Sequence, residues 1–340
     1  MNSSRPQLTH TGVDDMDPRI PLDLERAIFE LVALSHPVHI PNLLLVASRI
    51  KTWLQPLLYR TVVVNCDPPR VDGLRSYRPE LFFQIAELHR PFLDSVRNLM
   101  LADANDEEMA RILSACSHVQ NLYIGWPLDR SPSDASLGAL NALPLRHLYC
   151  DTRYVLYQDG PFSQPSLANI SHLELFDEVP EVEHWSKLVE LPRLTHLCTG
   201  DYDAHFSAFA LEKCEFLHVL VVTMSPRPSW DYSDVAKDSR FVMMKMLSGL
   251  VEDWQRGALH GDDYWARAED FIAKRRAGLS RPDRSILFIL HRTFLRILSR
   301  YFYGSIPNEI HIPQSSSGDQ SGGMRWSDAM DMGGVVLASF

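Results

Sequence analysis

A six-residue pattern of apolar and polar positions occurs six times in the middle of the chain, with successive copies 23 to 26 residues apart. In every copy the first place is aliphatic, the fourth is leucine, and the sixth is Leu, Ile, Cys, Thr or Val. The copies begin at Val96, Val119, Leu145, Ile170, Leu194 and Leu217. Because alternate side chains of a β-strand share one face, the fourth and sixth places predict a short strand with a buried face.

The segments between the copies have the apolar spacing of helices. DEEMARILSACS precedes the second copy and places Met109, Ile112 and Leu113 on one inward side of a helix. SLGALNALP and WSKLVELP lead into the third and fifth copies in the same way. A first strand is predicted at residues 61–64, and a further one begins near Phe241. A strand with a helical return, repeated at this period, predicts an α/β solenoid of parallel strands that line a concave face.

The N-terminal part of the chain predicts helices. Residues 1–17 are polar without periodicity, and we expect them to form a disordered leader. Beyond them, Leu24, Ile28 and Leu31 recur at helical spacing until Pro37 ends the helix.

A second helical stretch begins at Ile40 and is interrupted at Pro56. Its apolar positions are more numerous than one buried face needs. About 45 residues cannot bury that much apolar surface alone, so this unit must pack against the rest of the chain or against a partner.

The sequence of the C-terminal part also predicts helices. LVEDWQRG and DDYWARAEDFIAKRRAG are expected to form a helical cap over the open end of the solenoid. Residues 284–303 predict a basic amphipathic helix. The predicted organisation is a leader at 1–17, a small helical unit at 18–60, the solenoid at 61–248, C-terminal helices at 249–304 and a disordered tail at 305–340.

Composition narrows the class of protein. The 340 residues are 45% apolar and 22% charged, which excludes fibrous and wholly disordered chains, and the net charge of −10 argues against a general affinity for nucleic acid. Five cysteines without a CxxC pair fit a reducing compartment, and no apolar run reaches the roughly 20 residues of a membrane span. We therefore expect a cytoplasmic or nuclear protein with protein partners and without a membrane span.

The third and fifth places of each copy point away from the row of leucines, and the sequence predicts that they form solvated columns on the concave face. A binding hot spot and cross-strand packing of half-exposed aromatic side chains are both open interpretations of the tyrosines there. The residues predicted to bind a partner are Asn121, Tyr123, His147, Tyr149, His172, Glu174 and His196.

The three histidines of this set stand on adjacent predicted strands, where such rings can meet a metal ion. The sequence shows no second shell of partners for them, so we expect no metal and favour a hydrogen-bonding or pH-sensitive surface. Phosphate-binding, dinucleotide-binding and hydrolase motifs are missing from the sequence. We therefore expect neither a cofactor nor an enzyme.

Residues 20–59 resemble an F-box. Pro21, Ile28 and Phe29 match the family's opening Leu-Pro-x-Glu-Leu-Leu-x-x-Ile-Phe, with Asp23 in place of the acid. Leu45-Val46-Ala47-Ser48-Arg49, followed by Trp53, resembles the family's Val-Cys-Arg-x-Trp. The spacing L-x-x-L-x-L is similar to that of leucine-rich repeats, and residues 18–278 are for the most part similar to F-box-like proteins of mushroom-forming fungi.

This resemblance implies a substrate receptor of a cullin-type ubiquitin ligase. The F-box helices would bind the small adaptor subunit of the ligase, and the repeats would hold a protein substrate. The residues implied for adaptor binding are Pro21, Leu24, Ile28, Phe29, Val46 and Trp53. The alternative is a non-ligase interaction scaffold whose degenerate F-box caps the solenoid, and then the same apolar residues should be buried against the strand at 61–64.

Overall fold

The computed structural model describes residues 20–65, 74–88, 90–102, 104–125, 132–156, 167–176, 182–200, 204–224, 231–246, 250–279 and 286–289. The predicted leader at 1–17 and the predicted tail at 305–340 lie outside these residues. The helices are α1 Leu22–Ser35, α2 Ile40–Leu43, α3 Ser48–Leu58, α4 Pro79–Leu88, α5 Arg90–Ser95, α6 Asp106–Ala115, α7 Asp134–Asn141, α8 Val182–Val189, α9 Ala204–Lys213, α10 Leu250–His260 and α11 Tyr264–Arg276.

The described strands form one sheet in which all nine pairings between neighbours are parallel, in the order β10-β9-β8-β7-β6-β5-β4-β3-β1-β2. Strands β3 to β8 hold the six copies of the pattern, and β1 and β9 are the two further strands that the sequence predicts. The strands are β1 Thr61–Asn65, β2 Arg75–Tyr77, β3 Asn98–Ala102, β4 Asn121–Ile124, β5 His147–Cys150, β6 His172–Leu175, β7 His196–Thr199, β8 Val219–Met224, β9 Phe241–Met246 and β10 Ile286–Ile289.

The register of the sheet follows the sequence pattern. Third place pairs with third place, as in His147 with His172 and His172 with His196, and fourth place pairs with fourth place, as in Leu148 with Leu173. A one-residue slip would turn the leucines to the opposite face, so the buried row sets the register. The predicted α/β fold with a repeat-like parallel sheet is confirmed.

The first face of the sheet carries the fourth and sixth places and packs against α4 to α9. The predicted inward residues of α6, Met109, Ile112 and Leu113, are buried there. Helix α6 starts where it does because Asn105 and Glu108 form a capping box, in which each side chain accepts a hydrogen bond from the backbone N–H of the other. Each large apolar side chain on this face contributes roughly 1.5–3 kcal/mol through its burial.

The second face of the sheet is covered as well, and this corrects two expectations. Helices α10 and α11 do not cap the end of the stack, because they lie across the second face, from Asn98 on β3 to Phe241 on β9. The fifth-place column is therefore buried, and the third-place column is buried or half-buried rather than fully solvated. The physical reason is that Met100, Tyr149 and their neighbours form an apolar row, which α10 and α11 remove from water.

The N-terminal helices form a small core of their own around Ala33, Ile40, Ile50 and Leu54. The interruption predicted at Pro56 is wrong, because α3 runs through it to Leu58. The proline removes only one backbone donor in the last turn, and the chain leaves the helix two residues later. The break lies instead between α2 and α3, where Ala47 has an extended backbone.

The predicted helix at 284–303 is wrong for Ile286–Ile289, which form β10, and the rest of it lies outside the described residues. Strand β9 offers free backbone groups at its edge, and the run Ile-Leu-Phe-Ile has high β propensity, so it pairs there in parallel. Strand β2 and helices α4 and α5 are additions that the sequence pattern did not predict. Among the residues described, no helix combines the length and the apolar character needed to cross a bilayer.

Candidate functional site

A concentration of exposed apolar side chains lies on the N-terminal helices. Of the 16 large apolar residues that are exposed in the described part of the chain, 10 fall between Ile20 and Val46. We call the central set the N-terminal apolar face. It consists of Leu24, Ile28, Leu31, Leu45 and Val46, which are 45–83% exposed.

Helix α1 presents this face because it carries apolar residues on two sides, and only one of these sides packs against the small core. Phe29 and Ala33 turn toward the small core, while Leu24, Ile28 and Leu31 stand at i, i+4 and i+7 on an exposed side. That spacing is the signal that predicted an amphipathic helix, but the stripe it marked is open rather than packed within the chain.

An ion pair joins α1 to α3 beside this face. Arg49 donates to both carboxylate oxygens of Glu25, with an Nη2 to Oε1 distance of 2.8 Å. The hydrogen bond from Arg49 lowers the pKa of Glu25, although both side chains are at the surface. The bidentate geometry helps to orient α1 on α3, which positions Ile28 and Val46 on one small unit.

The residues predicted for adaptor binding fall into two groups. Pro21, Leu24, Ile28 and Val46 are exposed. Phe29 and Trp53 are half-buried and pack against the small core. The first group can contact a partner directly, whereas the second supports the unit from inside.

The second face of the sheet holds a row of polar side chains beneath α11. The rings of His147, His172 and His196 stack with centroid distances of 4.1 and 4.0 Å. Trp265 packs edge-on against His172 and His196, with distances between ring centroids of 5.4 and 5.7 Å. Glu269 on α11 lies 3.0 Å from His196 Nε2.

The environment of this stack favours neutral rings. Burial, together with the neighbouring histidines, lowers the pKa of His172 to about 2. Burial, with the charges of His196 and Arg146, lowers the pKa of His147 to about 4. Burial also lowers the pKa of His196, although the hydrogen bond to Glu269 opposes this shift. The stack is therefore uncharged near neutral pH.

Glu174 lies next to this stack in the fifth-place column and is only 2% exposed. Tyr264 donates a hydrogen bond of 2.6 Å to its carboxyl group. Burial raises the pKa of Glu174 to about 8, with further contributions from Asp253 and Asp263. Glu174 is thus a mostly protonated acid at pH 7 and contributes to the attachment of α11.

Two tryptophans attach α10 and α11 to the same face. Trp254 donates to Asn121 Oδ1 at 2.9 Å, and Trp265 donates to the Tyr149 hydroxyl at 3.0 Å. An ion pair between Asp253 and Arg267 joins the two helices to each other. The residues of α10 and α11 were not among the predicted site residues. Their apolar stripe and the apolar fifth places of the repeats each indicate a surface that needs cover, but neither pattern shows that the two surfaces pair with each other.

The structure brings all seven residues of the predicted partner-binding face onto one face of the sheet. Tyr123, Tyr149, Glu174 and His196 are buried, and the other three, Asn121, His147 and His172, are half-buried. A partner can reach the buried residues only if α10 and α11 leave the sheet. Binding through this face stays a prediction. Within the described ranges, no group of three or more His, Cys, Asp or Glu side chains has an arrangement that could hold a metal ion.

These observations place the chain in the class of α/β proteins with a repeat-like parallel sheet. A comparison with protein-family models and with curated proteins found no match to this chain.

Proposed function

We propose that this protein is an F-box-like substrate-recognition adaptor. The N-terminal apolar face binds the small adaptor subunit of a cullin-type ubiquitin ligase, and the repeat-like part binds a protein substrate. The observation that carries the proposal is the exposure of Leu24, Ile28 and Val46 on one small helical unit. Exposed apolar surface of this concentration is typical of a protein–protein interface.

The independence of the small core supports a docking role. Ala33, Ile40, Ile50 and Leu54 are at most 4% exposed and hold the unit together without the N-terminal apolar face. The exposed residues are therefore available to a partner at no cost to the packing of the unit.

The alternative is an interaction scaffold in which the helical unit only caps the sheet. It requires Leu24 and Ile28 to be buried against β1. Instead, Val62 and Val64 of β1 belong to the core of the first face, and Val63 belongs to that of the second. Helix α1 does contact α10, and α3 contacts α5, so the unit is attached to the sheet by other surfaces. This arrangement favours the docking proposal.

The repeat-like part carries the second half of the proposal. Stacked repeats offer long surfaces that suit protein partners. We propose a cytoplasmic or nuclear receptor that binds its substrate without a catalytic step of its own.

The test is binding of the purified adaptor subunit to the full chain by isothermal titration calorimetry. Ile28→Asp should weaken binding by about ten-fold or more, because a charge at the centre of an apolar interface is left without a partner. Val46→Asp should have the same effect, because Val46 is also exposed on this unit. Leu88→Asp on α4 is the matched control, because Leu88 is 76% exposed and lies outside the unit.

Three results would contradict the proposal. The unmutated chain does not bind the adaptor subunit, Ile28→Asp binds as well as the unmutated chain, or Leu88→Asp weakens binding equally. Circular dichroism of each variant checks the fold, and unfolding caused by Ile28→Asp would support the scaffold alternative instead.

A further inference from the structure

A cavity of about 530 Å³ lies where the N-terminal helices meet the sheet. Its walls come from α1 to α3, from the residues at the start of β1, β3, β4 and β5, and from the end of α10 with the turn at Gly261. Small-molecule sites in proteins have volumes of about 300–1,000 Å³, so the cavity is large enough for a small organic ligand.

One wall of the cavity is apolar. It is formed by side chains of the helical unit, among them Leu34, Ile40, Leu57 and Leu58. The opposite wall is polar and comes from the sheet, where Asn98 is already fixed by hydrogen bonds to Thr61 Oγ1 and the Ala258 carbonyl. A ligand that fills the cavity must therefore have an apolar body and a polar end.

The charge on the polar wall is positive. Arg60 and Arg146 line the cavity, and no aspartate or glutamate does. Within the described part of the chain, neither guanidinium has a carboxylate partner within 4.0 Å. Two arginines on one cavity wall that has no acid give this wall a positive charge, which favours an anionic ligand.

His147 also lines the cavity, and burial lowers its pKa to about 4, so its ring is neutral near pH 7. The two arginines therefore carry the positive charge of this wall.

We propose that this cavity binds a small organic carboxylate with an apolar body. The carboxylate pairs with Arg60 and Arg146. The apolar body packs against Leu57 and Leu58 of the helical unit. This site is separate from the N-terminal apolar face and does not depend on the proposed function.

The experiment is isothermal titration calorimetry of the full chain with 4-phenylbutanoate and with its neutral analogue 4-phenyl-1-butanol. The two probes share an apolar body and differ in the charged end. The carboxylate should bind about ten-fold or more tightly than the alcohol, because only the carboxylate forms charge-assisted hydrogen bonds with the arginines. The double variant Arg60→Gln, Arg146→Gln should lose this preference.

Arg78→Gln combined with Arg193→Gln is the matched control. These two arginines are also exposed, lie outside the cavity and have no ion pair among the described residues. This control should keep the preference for the carboxylate, and the thermal midpoints of both double variants should match that of the unmutated chain. The proposal is overturned if the carboxylate does not bind, if the alcohol binds equally well, or if the cavity variant binds like the unmutated chain.

Discussion

The protonation state of Glu174 depends on the helices that cover the second face of the sheet. Its carboxyl group is buried against Tyr264, and its pKa is raised from 4.5 to about 8. The folded protein therefore keeps a proton that the unfolded chain has lost above pH 4.5. The stability that this proton contributes is complete below about pH 4.5 and is lost as the pH rises through about 8.

The stacked histidines have the opposite dependence. Burial lowers the pKa of His147 to about 4 and that of His172 to about 2, from 6.5 in both cases. Below about pH 6.5 these histidines are protonated in the unfolded chain but stay neutral in the folded protein. The stability from neutral rings is present above about pH 6.5 and is lost as the pH falls toward about 4.

We expect Glu174→Gln to remove the loss of stability on the alkaline side. Glutamine resembles the protonated acid in shape and can accept the hydrogen bond from Tyr264, but it does not ionise. The histidine stack acts in both proteins, so the comparison rests on the difference between them. The free energy of unfolding of the unmutated chain minus that of the variant should fall by about 1 kcal/mol per pH unit between about pH 6 and 8. Urea denaturation at a series of pH values measures both.

Glu215→Gln is the control for this prediction, because Glu215 is exposed. It should leave the pH profile unchanged. If Glu174→Gln and the unmutated chain lose stability in parallel up to about pH 8, the buried carboxyl is not the group that titrates.

Helices α10 and α11 act as the second layer of the sheet rather than as a terminal cap. Trp254, Tyr264 and Trp265 are each at most 2% exposed, and each donates a hydrogen bond into the strands. A large buried aromatic ring with a satisfied polar end contributes both apolar burial and a fixed orientation. These three side chains therefore determine where the helix pair lies on the sheet.

Trp265→Ala should lower the free energy of unfolding by about 3–5 kcal/mol, because it leaves a cavity above the histidine stack and removes the donor to Tyr149. Urea denaturation followed by circular dichroism measures the change. Leu279→Ala serves as the control, since Leu279 is 79% exposed and its loss should cost little. A loss below about 1 kcal/mol for Trp265→Ala would show that α11 is not held by this side chain.

The strands and their register could be predicted from the sequence because a leucine row repeats in every copy. Leu99, Leu122 and Leu148 occupy equal places, and only one register buries all of them. The position of α10 and α11 could not be predicted in this way, because a helix that pairs with a distant row leaves no periodic signal between the two. The same holds for the cavity, since Arg60, Arg146 and Leu57 meet only through the tertiary fold.

The sheet and the N-terminal helices differ in how much of their apolar surface is covered. Apolar surface is buried on both faces of the sheet, yet it stays open on Leu24, Ile28 and Val46. The helical unit meets the sheet at the cavity lined by Arg60 and Arg146. A ligand in this cavity contacts both parts, so it should stabilise the junction between the proposed docking unit and the repeats.

Both faces of the sheet are covered by helices, so a chain shortened at its C-terminal end should expose the second face. A protein of residues 1–246 lacks α10, α11 and β10, which leaves Met100, Tyr149, Val221 and their neighbours without cover and opens the edge of β9. Each large side chain returned to water costs roughly 1.5–3 kcal/mol, so the total is comparable to the stability of a whole domain, about 5–15 kcal/mol.

We expect the 1–246 protein to bind anilinonaphthalene sulfonate more strongly than the full chain and to self-associate in sedimentation velocity. A protein of residues 1–290 is the control, because it retains every described element. Both shortened proteins keep the N-terminal apolar face, so dye bound there cancels in the comparison, and the difference reports on the second face together with the edge of β9 that β10 covers. A 1–246 protein that stays monomeric, with the dye binding and thermal midpoint of the 1–290 protein, would mean that α10 and α11 are dispensable for the sheet.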